Sequence, residues 1–250
     1  MSLQAIDYVN GISSLAYCVI TIIIGSIIAS KFFFFSLKNK NFLYTGVGII
    51  GLSEPWLSSG VSFLWNLFTG AGLTLEVYAI IGMTFIPVSI LLWITGITDL
   101  IEAKRKTMIR IIYIIIGIIF EIIFFSLLIL NPSLIGAFSP ESAIVHIDIE
   151  YRTFILGYLI FIIISSLSSM LILAKNSIEA ENPEIRLKGY FLTAGVILWS
   201  AAAVLDGFIP LLIGLLPIIR IILATSAFLF YLGFIMPPKI RNFLLKGNSD

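Results

Sequence analysis

Long apolar runs separated by short polar segments dominate this chain of 250 residues. A helix that crosses a membrane needs about 20 mostly apolar residues. Seven runs meet this requirement, so the pattern predicts one all-α domain over residues 1–250, a bundle of seven transmembrane helices. We place these helices at about 11–31, 42–67, 77–100, 108–130, 153–174, 189–213 and 217–236.

Prolines predict irregularities in three of these helices. Ser53, Glu54 and Pro55 interrupt the middle of the second helix, and proline removes a helical hydrogen bond. Pro87 and Pro210 predict further bends. A turn predicted at residues 215–217 makes the last two helices antiparallel neighbours.

Composition supports the membrane assignment. Hydrophobic residues make up 59% of the chain and charged residues only 12%, whereas soluble domains carry about 25% charge. A soluble globular protein and a disordered chain are therefore excluded. The net charge of +1 leaves no basic field for phosphates, so we expect no nucleic-acid partner.

The distribution of lysine and arginine predicts the orientation. Thirteen of the fifteen basic residues fall in alternate connections, and only Arg152 and Arg220 lie elsewhere. The positive-inside rule assigns the thirteen to the cytoplasm, so the N-terminus is outside and the C-terminus inside. We expect a multi-pass protein of the cell membrane. The tail after the last helix is short, so any signal requires a cytoplasmic partner or a homo-oligomer.

Cysteine and histidine are too scarce for most reactive centres. Cys18 is the only cysteine and His146 the only histidine, so His- or Cys-based metal sites are not expected. No catalytic set or phosphate-binding loop is present either. The sequence therefore predicts no enzyme activity, no catalytic residues, no metal and no cofactor.

The predicted layout resembles those of microbial rhodopsins and G-protein-coupled receptors at the level of topology alone. The last predicted helix, 217–236, contains no lysine, which excludes a covalent retinal Schiff base. PQ-loop transporters share seven helices in a three-one-three order, but this chain has no Pro-Gln dipeptide.

A weak internal similarity relates the first three predicted helices to the last three. Tyr17 corresponds to Tyr158, and the segment around Thr45 corresponds to that around Thr193. One interpretation is a 3+1+3 internal repeat, which some small transporters have. The other interpretation is that the similarity has no structural meaning, since any two isoleucine-rich helices resemble one another in composition.

Four charged residues lie inside predicted helices away from the ends that carry the basic connections, and each costs about 2.5–3.5 kcal/mol at a helix centre and marks a candidate functional site. They are Glu54, Glu121, Asp206 and Arg220. All fall in the middle-to-outer half of the bilayer, where they can converge on one outward-facing pocket. We expect Trp199 to form a wall of that pocket; the alternative is that Trp199 only packs against neighbouring helices.

The four charges divide into a predicted pair and two isolated carboxyls. Asp206 and Arg220 flank one short turn, so an ion pair there either binds a ligand or clamps two helices. Glu54 and Glu121 have no basic residue nearby. They suit a proton or cation site, or a neutral hydrogen-bonded carboxyl. On the fourth helix, Glu121 shares a face with Arg110, Tyr113, Gly117 and Phe124, which should turn inward.

The longest outer connection contains an alternating segment, 143–152, that predicts a strand. Its apolar positions include Ile147 and Ile149, and its polar positions His146, Asp148 and Glu150. Such a strand forms either a lid that binds a ligand or a capping loop with a solvated polar face.

Three functions remain open. The first is a receptor or sensor that binds a small ligand in the outward-facing pocket and signals through a partner. The second is a proton- or cation-coupled transporter of small solutes that uses Glu54 or Glu121. The third is a structural membrane subunit in which the charges only fix the helices.

Overall fold

The computed structural model describes residues 3–35, 40–138, 147–208 and 215–245. These residues form an almost entirely helical bundle. In chain order the helices are α1 (Ala5–Phe35), α2 (Lys40–Gly51), α3 (Glu54–Thr69), α4 (Leu75–Met83), α5 (Ile86–Leu100), α6 (Lys106–Leu130), α7 (Thr153–Ile178), α8 (Pro183–Phe208), α9 (Leu215–Phe234) and α10 (Pro238–Leu245). Between α6 and α7 lie a 3-10 turn (Pro132–Leu134) and the strands β1 (Gly136–Phe138) and β2 (Ile149–Tyr151).

The predicted helical membrane bundle is confirmed. Within the described ranges, six helical stretches are long and apolar enough to cross a membrane. They are 5–32, 75–100, 106–130, 153–178, 183–207 and 215–234. The remaining predicted span, 42–67, consists of α2 and α3, with 12 and 16 residues. Neither is long enough to cross alone, so the count of seven spans stays a prediction.

Two helix breaks occur where proline is predicted to cause them. Pro55 has no N–H to donate to the carbonyl of Gly51, and the chain turns between α2 and α3. Pro87 likewise has no N–H for the carbonyl of Met83, and α4 ends there. The bend predicted at Pro210 lies outside the described residues.

Local polar groups define several helix ends. Asp7 accepts a hydrogen bond from the backbone N–H of Gln4 at 2.8 Å, which is half of a capping box for α1. Gly70 ends α3 in the left-handed conformation, with φ 71°. Asn182 accepts the N–H of Glu184 at 2.8 Å and so caps α8.

The predicted turn at 215–217 is wrong. These residues form the first turn of α9, where proline is tolerated because that N–H has no helical acceptor. The helix predicted over 189–213 begins earlier, at Pro183, and is described to Phe208. The connection that follows, 209–214, is outside the described residues.

Glycines permit the closest helix contacts. A methyl group added at Gly46 in α2 would lie 2.4 Å from the carbonyl oxygen of Gly25 in α1. One added at Gly51 would lie 1.8 Å from the Ser89 Oγ atom of α5. The α2 backbone is therefore wedged between α1 and α5, as small residues at membrane helix interfaces allow.

The core and the apolar exterior follow the helix faces. Ile90, Trp93 and Ile97 of α5 are fully buried. On α6 the predicted inward face is confirmed at Gly117 and Phe124, which are buried. The other members of that face, Arg110, Tyr113 and Glu121, are partly buried. Nine isoleucines of α6 are exposed, as expected of a helix that borders lipid: Ile111, Ile112, Ile114, Ile115, Ile118, Ile119, Ile122, Ile123 and Ile129.

A small antiparallel hairpin closes one end of the bundle. Gly136 pairs with Tyr151 and Phe138 with Ile149. The strand predicted over 143–152 is thus confirmed at Ile149–Tyr151, while 143–146, with His146, lies outside the described residues. Ile147 and Ile149 are buried and Glu150 is exposed, as predicted. The interpretation of a solvated polar face does not hold at Asp148, because its carboxylate accepts hydrogen bonds from donors on three helices.

Candidate functional site

A cavity of about 380 Å³ lies at the end of the bundle that carries the β1–β2 hairpin. Isoleucine and leucine side chains of α7 form much of its apolar wall. The polar residues used below come from four helices and from the position before β2: Trp56, Tyr78, Asp148, Trp199, Asp206 and Arg220. An apolar pocket with a few convergent polar groups is the usual form of a small-molecule site.

The centre of the polar cluster is the ion pair between α8 and α9. Arg220 Nη1 donates to Asp206 Oδ1 at 2.6 Å. The Arg220 side chain is 5% exposed and that of Asp206 is 17% exposed. The predicted pairing of these two residues is therefore present. Because both groups are largely removed from solvent, loss of either would leave an uncompensated charge.

Trp56 connects this ion pair to α3. Its indole N–H donates to Asp206 Oδ2 at 2.6 Å, so both carboxylate oxygens of Asp206 have donors. The guanidinium carbon of Arg220 lies 5.9 Å from the centre of the Trp56 ring, within cation–π range. Trp56 thus contacts both members of the pair.

Asn10 extends the cluster to α1. Its amide oxygen accepts from Arg220 Nη2 at 3.3 Å, and its amide nitrogen donates to Asp148 Oδ2 at 3.1 Å. Asn10 is 2% exposed. The ion pair and Asp148 therefore belong to one hydrogen-bonded network.

Asp148 fastens the hairpin to the helices. Its Oδ1 atom accepts from the Tyr78 hydroxyl at 3.1 Å, from Ser59 Oγ at 3.3 Å and from the N–H of Ile149 at 2.9 Å. Removal from solvent, followed by the charge of Asp206, raises the pKa of Asp148 to about 6, while Arg220 and the donors oppose this rise. Asp148 is therefore ionised at neutral pH and becomes protonated under mildly acidic conditions.

Glu54 occupies a different place, at the junction of the two helix breaks. It is buried, and its Oε1 atom accepts the N–H of Phe85 at 2.9 Å. Phe85 stands in the break between α4 and α5, so the carboxylate replaces a helical acceptor there. Among the described residues, Glu54 Oε2 has no hydrogen-bond partner.

Glu121 approaches this junction from α6. Its Oε2 atom is also buried without a partner among the described residues, and its charge is close enough to Glu54 to repel it. Neither glutamate lines the cavity described above. The structure thus unites Asp206, Arg220 and Trp199 in one cavity and places Glu54 and Glu121 at a second location.

Sequence reasoning missed several members of the network. Asn10, Ser59 and Tyr78 are uncharged and lie within or beside apolar runs, so a search for buried charges passes over them. Asp148 lies on the polar face of the predicted strand, but alternation along one strand does not indicate which helices that face meets. A search for amides and hydroxyls near the outer ends of the predicted helices identifies Asn10 and Ser59.

Comparison with known proteins does not identify a family for this chain. No protein-family model matches the chain, and no curated protein and no solved structure is significantly similar to it. The class that the fold itself defines is a multi-pass helical membrane protein.

Proposed function

We propose that this protein is a receptor or sensor of the cell membrane that binds a small ligand in an outward-facing cavity. The cavity carries the proposal, because an apolar wall there meets an ion pair, two further carboxylates and two tryptophans. Such a combination supplies both ligand affinity and orientation.

The outward direction rests on the basic residues. The hairpin and the cavity lie at one end of the bundle, and the connections rich in lysine and arginine lie at the other. In this proposal α2 and α3 together form the second of seven spans. Their 30 residues from 40 to 69 have a helical length of roughly 45 Å. A cytoplasmic partner or a second copy at the basic end transmits the signal.

Thiol labelling tests whether the cavity opens to the outside of the cell and whether a small reagent can enter it. Ala203 lines the cavity, whereas Ala201 on the same helix is exposed on the outer surface of the bundle. In a Cys18→Ser background, a membrane-impermeant maleimide added outside intact cells should modify Ala203→Cys and leave Ala201→Cys unmodified. Labelling of Ala203→Cys only from the cytoplasmic side, or not at all, would reject an outward-facing binding cavity and favour a structural subunit.

A second candidate is a proton- or cation-coupled transporter, favoured by the junction at Glu54. Broken helices with freed backbone groups occur at the binding sites of several transporter folds, and the weak internal repeat agrees with that interpretation. Purified protein in liposomes should then move protons or cations, and Glu54→Gln should abolish the flux. Flux that is unchanged in Glu54→Gln would exclude Glu54 as the coupling group.

A further inference from the structure

The ion pair beside the cavity is already engaged within the protein. Arg220 Nη1 donates to Asp206 Oδ1 at 2.6 Å, and Arg220 Nη2 donates to the amide oxygen of Asn10 at 3.3 Å. The second oxygen of Asp206 accepts from Trp56 at 2.6 Å. The Nε atom of Arg220 has no partner among the described residues, but it is buried and offers no surface to a ligand. A charged ligand must therefore break an existing contact, and separation of a buried ion pair is strongly unfavourable.

Asp148 is engaged in the same way. Its Oδ2 atom accepts from Asn10 at 3.1 Å, and its Oδ1 atom accepts from the Tyr78 hydroxyl at 3.1 Å and from the N–H of Ile149 at 2.9 Å. The other carboxylate of the described lining, Glu150, is exposed, so water screens its charge and weakens any ion pair that it forms. Among the described lining residues, every buried charge therefore already has its contacts.

Aliphatic side chains form much of the remaining lining. Most of them belong to α7, one lies between α2 and α3, and one lies in α5: Leu52, Ile86, Leu156, Leu159, Ile160, Ile162 and Ile163. An ion that enters such surroundings loses its hydration without replacement. An uncharged hydrocarbon loses little, and it gains free energy in proportion to the apolar surface that leaves water. The wall therefore favours an uncharged ligand over an ion of the same shape.

The packing of α8 indicates how much room a ligand has. Near the connection from α7 to α8, a methyl group added at Gly189 would lie 2.8 Å from the backbone nitrogen of Ile178 in α7. One added at Gly207, which lines the cavity at the hairpin end, would meet no described atom within 4 Å. The cavity of about 380 Å³ exceeds the aliphatic cavity of about 150 Å³ that binds benzene in an engineered protein. It therefore has room for a ligand larger than one aromatic ring.

We propose that the cavity binds an uncharged lipophilic molecule, of the aryl or branched-alkyl hydrocarbon class. This inference rests on the proposed function, since it names the ligand class of the same cavity. The hydrocarbon body lies against the aliphatic side chains of α7. The engaged ion pair of Arg220 and Asp206 offers a charged molecule of the same shape no partner.

Three naphthalene derivatives of similar size test the ligand class. 2-tert-Butylnaphthalene is uncharged, trimethyl(2-naphthyl)ammonium is its isostere with a positive nitrogen in place of one carbon, and naphthalene-2-sulfonate is an anion. The shift of the unfolding temperature of the full chain in maltoside micelles measures binding, because a ligand stabilises the state that binds it. We expect the uncharged probe to produce a given shift at about tenfold lower concentration than either ion.

Cavity-filling variants distinguish binding in the cavity from partition into the micelle. Ala203 lines the cavity, and Ala201 on the same helix is exposed outside it. Ala203→Phe should abolish the shift that 2-tert-butylnaphthalene produces, and the matched control Ala201→Phe should retain it. Ala203→Val adds less volume and should reduce the shift, so it remains informative if Ala203→Phe fails to fold. A full shift in the folded Ala203 variant would place the probe outside the cavity and overturn the inference.

The outcomes separate the ligand class from the cavity itself. If either ion shifts the unfolding temperature as strongly as the uncharged probe, and Ala203→Phe removes that shift, the ligand class is wrong and the binding cavity stands. If no probe produces a shift that depends on Ala203, the ligand class is again overturned, and labelling of Ala203→Cys decides whether the outward-facing cavity also falls. If the uncharged probe binds as expected, competition by a short-chain phosphatidylcholine identifies a lipid acyl chain as the source, and its absence identifies a free molecule.

Discussion

The two clusters of buried charge in this protein are built in opposite ways. At the hairpin end, Arg220 pairs with Asp206 and is connected to Asp148 through Asn10, and the oxygens of Asp206 and Asp148 all accept hydrogen bonds. At the helix breaks, the charge of Glu121 repels that of Glu54, and each glutamate has one buried oxygen without a partner among the described residues.

This difference separates a cluster that connects helices from one that retains polar atoms without hydrogen bonds. The paired cluster joins α1, α3, α4, α8, α9 and the hairpin, so its charges hold the hairpin end of the bundle together. The glutamate cluster makes one described hydrogen bond between helices, from Phe85 to Glu54. A buried polar atom without a partner is costly unless it is neutralised or takes a ligand. The first cluster should therefore control stability, and the second should tolerate change.

Removal of the central cation should have the largest effect. Arg220→Met leaves Asp206 buried without its ion-pair partner and should lower the free energy of unfolding by about 3–5 kcal/mol. Thermal unfolding in micelles measures this loss. Arg220→Met combined with Asp206→Asn should recover part of it, and Arg152→Gln at an exposed arginine should change little. A loss below about 1 kcal/mol in Arg220→Met would contradict a stabilising network.

Loss of a single donor should cost less. Trp56→Phe keeps an aromatic ring but removes the N–H that Asp206 accepts, so we expect a loss of about 1.5–3 kcal/mol. Trp65→Phe is the control, because Trp65 is half exposed. Equal unfolding temperatures for Trp56→Phe and Trp65→Phe would show that the indole bond contributes nothing.

The stability of the folded protein should depend on pH through Asp148. Burial raises its pKa in the folded protein from 3.8 to about 6, so the ionised form is disfavoured by folding. Stability without ligand should therefore rise as pH falls through about 6 towards 4. Asp148→Asn should lose this trend in thermal unfolding followed as a function of pH, and persistence of the trend in Asp148→Asn would assign it to another group.

The glutamate cluster should show the smallest effect on stability. Glu54→Gln still presents an oxygen to the Phe85 N–H, so we expect the free energy of unfolding to change by less than about 1 kcal/mol. Glu54→Leu removes that acceptor and should cost about 1–3 kcal/mol. If Glu54→Gln destabilises as strongly as Arg220→Met, the carboxylate has an essential cationic partner and the contrast between the clusters is wrong.

Much of the architecture could be predicted from local sequence. Apolar run length indicates the helices, because only a helix satisfies its backbone within a membrane. Pro55 and Pro87 indicate both helix breaks, and the separation of Asp206 from Arg220 indicates their pairing. The turn at 215–217 was wrong because the first turn of a helix tolerates proline, which spacing alone does not distinguish.

By itself, the sequence determined a helical membrane bundle, the ion pair between Asp206 and Arg220 and the position of most basic residues at one end. These follow from apolar length and from neighbours along the chain. Only the tertiary structure decided that Asn10 and Asp148, 138 positions apart, join that pair, and that Glu54 and Glu121 lie elsewhere. The reason is that helix rotation and close packing at glycine determine which faces meet, and residue spacing along single helices does not contain that information.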